Sequence, residues 1–279
     1  LKIRTAGLLF PALLAFGQET RRESVVVTGA YEPLPLEEVD RSVSSLSVRG
    51  FELLANSLTD FLRLDPSLDL RARAPNGVQG DLSIRGGTFG QTLVLIDGQR
   101  VNDVQSGHHN LDLPVPPEVV SRVETLKGAG STLYGSDAIG GVINVVTATP
   151  EAAEARLRTG IGTDGANQQR VAAAFRLGPL WQQLAASRDF SSGFRPNRDY
   201  RDLSLYSRTS IKGTSVLLAH DDRPFGAEGF YGNYNSWERT RTWFASARQR
   251  IGSRTDASFT FRRHTDLFVL YRDRPQAFT

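Results

Sequence analysis

The sequence predicts an α+β domain over residues 36–149 followed by an incomplete antiparallel transmembrane β-barrel over residues 150–279. Three observations predict it. After Pro150, apolar and polar residues alternate with period two in segments of about 10 residues, the pattern of a strand with lipid on one face and water on the other. The connections between those segments alternate between short and long. Between residues 36 and 149 the elements are instead short, of mixed type and separated by glycines.

The chain before residue 36 divides in two. Lys2 and Arg4 precede an apolar stretch over 6–16, and Ala15, Phe16 and Gly17 offer the small residues a signal peptidase needs, so residues 1–17 read as a signal peptide cut after Gly17. Leu8, Leu9, Phe10, Leu13 and Leu14 surround a helix instead of striping one face, which argues against an amphipathic first helix of a soluble protein. Residues 18–35 are polar, charged and proline-bearing, interrupted by the β-branched run Ser24, Val25, Val26, Val27, Thr28. That run is either a strand awaiting a partner or the first strand of the next domain.

In the α+β domain, Ser57 caps a helix over 58–64, with Asp60 at its third position and Pro66 closing it. Residues 82–84 and 93–96 read as strands, the second followed by the turn pair Asp97 and Gly98. Pro116, Pro117 and Glu118 start a short helix leading to a strand at 122–126, and 141–147 is the last strand. The many glycines, Gly86, Gly87, Gly140 and Gly141 among them, imply close backbone approaches, as in a domain packed inside another body.

In the barrel portion, Ala257, Phe259 and Phe261 share one face while Asp256, Ser258, Thr260, Arg262 and His264 share the other. Trp243, Ala245 and Ala247 oppose Ser246, Arg248 and Arg250, and Leu203, Leu205 and Ile211 oppose Ser204, Tyr206 and Arg208. Gly178-Pro179, Lys212-Gly213 and Gly252-Ser253 are tight turns, whereas 191–200 and 223–237 are long loops. Short turns on the periplasmic side and long loops outside are the habit of such barrels. If Pro150 leaves the first domain on the periplasmic side, both long loops emerge outside.

Composition excludes several functions. The 33 basic and 30 acidic residues leave a net charge of +3, so no cationic field implies nucleic acid. There is no Cys, hence no disulfide framework, thiolate catalysis or Cys-ligated zinc. Gly160, Gly162 and Gly165 form a G-x-G-x-x-G with Asp189 about 20 residues on, but the preceding strand alternates Arg156 and Arg158, unlike a strand buried under two helix layers. Residues 162–165 therefore read as a hairpin turn. Residues 130–136 have the glycine spacing of a phosphate loop without its lysine. His108 and His109 are adjacent and diverge, so a metal site there needs ligands from elsewhere, and no metal is assigned. No catalytic arrangement stands out, and the reading is not an enzyme.

Ordered blocks then carry a specific resemblance. Glu23, Ser24, Val25, Val26, Val27, Thr28 and Gly29 resemble a TonB box. Residues 58–70, 82–86, 93–98 and 101–103, then 122–128 and 133–144, resemble in order the blocks of a TonB-dependent receptor plug. The sequence is similar to TonB-dependent outer-membrane receptors over about half its length, most to the vitamin B12 and siderophore receptor group. The resemblance implies a barrel of roughly 22 strands enclosing the plug. About seven are present here, so the chain is expected to be a fragment. It also implies the cell outer membrane and its lipid as surroundings, and TonB as a partner that pairs with residues 23–28 as an added strand. The implied function is active import of a metal chelate, cobalamin-like or siderophore-like; a plug-bearing signal-transducing receptor and a non-functional truncated fragment are the alternatives.

Site residues follow by position. Arg85, Arg122, Glu124 and Lys127 match plug positions that anchor to the barrel wall, with Lys127 standing where the family more often has Arg, which weakens a bidentate contact. Asn76, Gln79, Gln105, Ser106, His108 and His109 match the apical plug loops that touch substrate. Phe225, Phe230, Tyr231, Tyr234 and Trp237 of the second long loop suit a large ligand with flat or apolar surface, or else a membrane-interface belt. No cofactor is expected beyond calcium, for which Asp221 and Asp222 offer oxygens, although adjacent carboxylates are also a common solvated pair.

Overall fold

The computed structural model describes residues 24–25, 34–35, 40–48, 50–51 and 53–274. The signal-peptide reading lies outside the described residues, as do Glu23, Val26, Val27 and Thr28 of the TonB-box reading. Among the described residues no helix is long and apolar enough to cross a membrane, which says nothing of strands that cross one.

The plug begins after a two-residue pairing of β1 (Ser24–Val25) with β2 (Leu34–Pro35). It is built from β3 (Val43–Ser47), α1 (Leu58–Leu62), β4 (Leu68–Ala72), β5 (Gly80–Ile84), β6 (Thr92–Ile96), β7 (Gln99–Arg100), β8 (Val120–Lys127), α2 (Ser131–Tyr134) and β9 (Gly141–Thr147). Five strands form one sheet in the order β3-β8-β9-β6-β7, and β4 and β5 form a separate hairpin. Among the described residues, β6 and β9 are the one parallel pair. Their apolar runs reflect burial on both faces. Val94, Ile96, Ile143 and Val145 join the main core with Phe61, Leu82 and Ile84, while Leu93, Leu95 and Val142 meet Leu126 and Ala138 on the other side.

Local chemistry explains the ends. The backbone N–H groups of Asn56 and Ser57 donate to Asp60 Oδ2 at 2.9 and 3.0 Å, fixing the start of α1. The α-helix stops at Leu62, short of the expected Leu64: the Leu64 and Asp65 N–H groups bond the carbonyls of Phe61 and Leu62, three residues back, in a tightened last turn, and Pro66 has no N–H to carry it further. Asp97 and Gly98 take φ of 49° and 79°, the left-handed pair of a two-residue hairpin between β6 and β7. The segment 131–134 with phosphate-loop spacing is a short helix, α2. Strands β3, β4 and β7 had no clear pattern in sequence.

The second body is an open seven-stranded antiparallel sheet of β10 (Glu154–Ile161), β11 (Asn167–Leu177), β12 (Leu180–Ser191), β13 (Tyr200–Ile211), β14 (Thr214–Gly226), β15 (Trp237–Ile251) and β16 (Thr255–Val269), each paired to the next. The expected alternation holds. Val171, Leu184, Leu205, Leu218, Trp243, Phe259 and Phe261 stand exposed on the outer face, where lipid belongs. Ala172, Ala185, Tyr206, Leu217, Ala219 and Phe244 on the inner face are continuous with the plug core. The connections at 178–179, 212–213 and 252–254 are short, and those at 192–199 and 227–236 are long.

One sequence expectation shifts and one holds. The second loop is shorter than 223–237, because β14 continues through Gly226; Arg223 and Phe225 point inward to buried partners and are held by the ladder to β15. The G-x-G-x-x-G segment ends in the turn 162–166, followed by β11 and not by the helix of a dinucleotide-binding unit.

Candidate functional site

The plug meets the inner barrel wall through charged and polar side chains. Arg170 of β11 is buried. Its guanidinium donates to both carboxylate oxygens of Asp189 at 3.2 and 2.6 Å, lies 3.3 Å from plug Glu118, and bonds the carbonyl of Asn56. Arg223 of β14 donates to plug Asp112 at 3.0 Å and to Asp202 at 2.9 Å, with Asp221 at 3.6 Å. Arg208 approaches plug Asp97 at 3.4 Å and Arg262 meets plug Asp103 at 2.9 Å. Desolvated pairs of this kind hold position because losing either partner strands a charge. The sequence pattern placed Arg208 and Arg262 on the wet face, put Arg223 in a loop and did not single out Arg170, and it gave none of their partners, since strand alternation gives a side chain's face but not what stands opposite.

The four residues matched to anchoring positions make their described contacts inside the plug. Arg85 donates to Ser42 Oγ at 3.4 Å, Arg122 meets Glu124 at 2.8 Å, and Lys127 lies 3.7 Å from Asp65. Burial holds the Glu124 carboxyl above its usual range in spite of Arg122. Burial also raises Asp65, but hydrogen bonds from Ser44 and Ser67 and the charge of Lys127 outweigh it and leave the carboxyl below its usual range. A depressed carboxylate stabilises the fold above its unfolded pKa, and that stabilisation disappears as pH falls through the folded value. In thermal melts of the detergent-solubilised protein, acidification below about pH 4 is therefore expected to lower the midpoint less in Asp65→Asn than in the native protein. Equal slopes would show that Asp65 does not link folding to protons.

The residues matched to substrate loops gather at one end of this interface. Asn76 and Gln79 lie in the turn between β4 and β5, both at left-handed φ (58° and 46°). That geometry turns Asn76 toward Asp189, to which its amide donates at 3.1 Å, and Gln79 toward the Tyr231 hydroxyl, which its amide contacts. Tyr231 in turn donates to Glu238 Oε2 at 3.0 Å, so the loop 227–236 folds down on the plug. Arg73 bonds the Phe230 carbonyl and lies 5.5 Å from the Tyr231 ring centre, while Arg198 lies 4.2 Å from that of Phe230. Phe225 packs on Phe230 at 6.0 Å and Tyr234 on Tyr271 at 5.9 Å; Trp237 begins β15. Burial and the nearby Glu238 charge push the Tyr231 hydroxyl pKa up.

The other apical loop is organised by Asp103, whose Oδ1 accepts the backbone N–H groups of Gln105 and Ser106 at 2.9 and 2.8 Å. Ser106 Oγ accepts the His108 N–H at 3.4 Å. The histidines diverge as adjacency predicts. His108 Nδ1 is 2.6 Å from Asp81 and its ring lies 4.4 Å from that of Phe89, inside the plug. His109 is buried against the wall, 3.3 Å from Asp112 and 3.6 Å from both Glu238 and Asp266. Burial opposes its charge, yet the carboxylates raise its pKa to about 10, and His109 with Arg223 lowers Asp112 to about 2 against the effect of burial. Asp221 and Asp222 stand on opposite faces of β14: Asp221 is buried inside, and Asp222 accepts Arg239 at 2.7 and 2.6 Å outside.

This architecture of an α+β body seated on an incomplete barrel has a sequence counterpart: the model of the TonB-dependent receptor plug domain matches residues 35–142. The chain belongs to the TonB-dependent outer-membrane receptors. Among relatives of this receptor, vitamin B12 transporter BtuB of Vibrio vulnificus (strain CMCP6) is 35% identical over 199 residues, 70% of this chain and 32% of the relative. An iron-regulated outer membrane virulence protein of Vibrio cholerae is 34% identical over 227 residues, 74% of this chain and 34% of the relative. The chain thus spans about a third of the length of these curated relatives. Among solved structures, Pseudomonas aeruginosa FpvA bound to a heterologous pyoverdine superposes with a TM-score of 0.66 at 16% identity, covering 85% of this chain and 35% of that one. The alcaligin outer membrane receptor FauA from Bordetella pertussis gives 0.64 at 17% identity, covering 87% and 42%. These structures share the fold. The receptor's place is the outer membrane, and its relatives are receptors and transporters rather than enzymes.

Proposed function

We propose that the receptor imports a scarce metal chelate, cobalamin-like or a ferric siderophore, across the outer membrane, driven through TonB. The observation that carries this reading is the convergence of the apical plug turns and the aromatic loop: from the plug side Gln79 reaches Tyr231 and His109 reaches Glu238, while Tyr231 donates to Glu238 from the loop. A ligand entering from outside meets Phe230, Tyr231 and Tyr234 first and can exchange its own contacts for the Gln79–Tyr231 one. Such an exchange couples ligand binding to plug position. In the same reading residues 23–28 supply TonB with a strand to pair with, and Arg85, Arg122, Glu124 and Lys127 steady the plug as it moves.

The test is uptake by cells expressing the natural full-length gene, with labelled cobalamin and a ferric siderophore assayed in parallel, with and without TonB. Accumulation of one of them that requires TonB is the expected result. Accumulation of neither, in cells whose outer membrane contains the folded receptor, would remove the importer reading.

A further inference from the structure

We propose that His109 and Asp112 of the plug and His264 of β16 form a site for a divalent first-row transition metal, with zinc as the type, that clasps the plug to the barrel wall. One ligand atom from each of the three lies within 4.8 Å of the others. His109 Nδ1 and Asp112 Oδ2 are 3.3 Å apart. Two ligands at about 2.0–2.1 Å from a tetrahedral zinc stand roughly 3.3–3.4 Å apart, so this pair already has the required separation.

Each donor is prepared by what holds its other end. Asp112 Oδ1 accepts from Arg223 at 3.0 Å, leaving Oδ2 buried and without a hydrogen-bond donor. Thr242 Oγ1 donates to the Asp112 carbonyl at 3.4 Å and sits 2.9 Å from His264 Nδ1. A hydroxyl that gives its proton to Asp112 accepts from His264, which puts the imidazole proton on Nδ1 and the lone pair on Nε2. His264 Nε2 is itself buried with no hydrogen-bond partner. On the far side of His109, Nε2 faces Glu238 and Asp266 at 3.6 Å each. A carboxylate behind a ligating imidazole fixes its tautomer and raises its basicity, the usual outer support of a zinc histidine.

Charge points the same way. Asp103, Asp112, Asp202, Asp221, Glu238 and Asp266 surround two cations, Arg223 and Arg262. A proton on His109 offsets one of the excess negative charges, whereas a divalent cation offsets two. An ion-pair latch built on protonated His109 would engage Asp112 Oδ2, 3.3 Å away, but would not use the His264 Nε2 lone pair, which the site leaves open. The donor set of two imidazoles and one carboxylate suits zinc and its neighbours over calcium or magnesium, which take oxygen.

The proposal stands apart from the import reading, because it concerns metal bound by the protein's own side chains. It is tested on the purified full-length receptor in detergent, stripped with a chelator and titrated with zinc chloride. One equivalent is expected to bind. His109→Gln and His264→Gln should each weaken binding by at least about tenfold, Glu238→Gln by about 10–100-fold, and His108→Gln should leave it unchanged. A stripped receptor that takes up no zinc, or one whose affinity survives His264→Gln, would overturn the proposal. Should either histidine variant fail to fold, cobalt(II) added to the stripped native protein decides: intense visible absorption of a tetrahedral site supports it, and the weak spectrum of the hydrated ion overturns it.

Discussion

Replacing Arg170 by methionine is expected to destabilise the receptor by about 3–5 kcal/mol. The guanidinium is buried, and three groups depend on it: both oxygens of Asp189, the carboxylate of Glu118 and the carbonyl of Asn56. Methionine fills similar volume and removes the charge, so the loss reports the stranded carboxylates more than a cavity. Glu118 and Asn56 belong to the plug and Asp189 to the barrel, so the variant should loosen the contact between the two bodies. Denaturant unfolding in detergent measures the stability, and influx of a bulky antibiotic into cells carrying the full-length variant measures the seal. Arg239→Met is the comparison. It removes a pair with Asp222 on the outer face, where solvent reaches the arginine, and should cost less than about 1 kcal/mol. Equal losses from the two substitutions would mean that Arg170 does not clamp the plug.

That contrast separates what the sequence revealed from what it withheld. Alternation placed Phe259 and Phe261 on the lipid face and Arg262 and His264 on the wet face, because a strand's geometry admits no other arrangement once one face is apolar. Ser57, Asp60 and Pro66 disclosed α1 by capping chemistry, which is local, and Asp97 with Gly98 disclosed their turn for the same reason. Partners across the interface were not legible. Arg170 and Glu118 are 52 positions apart, and Arg223 and Asp112 are 111 apart, and no local rule connects them. Arg208 and Arg262 were assigned a face, Arg170 and Arg223 were not, and only the packed structure shows that all four reach plug carboxylates. The His108-His109 pair shows the same limit. Adjacency predicted divergence, and His109's neighbours on β15 and β16 come from contacts that only folding creates.

Gly141→Ala is expected to cost the plug about 2–3 kcal/mol, which argues that one hydrogen atom at this position decides how the central sheet packs. Gly141 begins β9 and pairs with Thr92 of β6 on one side and Lys127 of β8 on the other. A Cβ there would stand 2.4 Å from the Leu126 carbonyl oxygen and 2.6 Å from Ile84 Cδ1. The oxygen belongs to the neighbouring strand and cannot yield without shifting the ladder, and Ile84 is fully buried in the main core. Gly98 provides the opposite case. It sits at φ +79° with nothing within 4 Å of a built Cβ, so Gly98→Ala meets only the left-handed backbone penalty, about 1 kcal/mol. Limited proteolysis of the plug in the folded receptor, followed with temperature, measures both. A larger loss of protection in Gly141→Ala than in Gly98→Ala locates the constraint in strand-to-strand approach. The reverse order would place it in the hairpin turn, and the close packing of β8, β9 and Ile84 would then not limit the plug's stability.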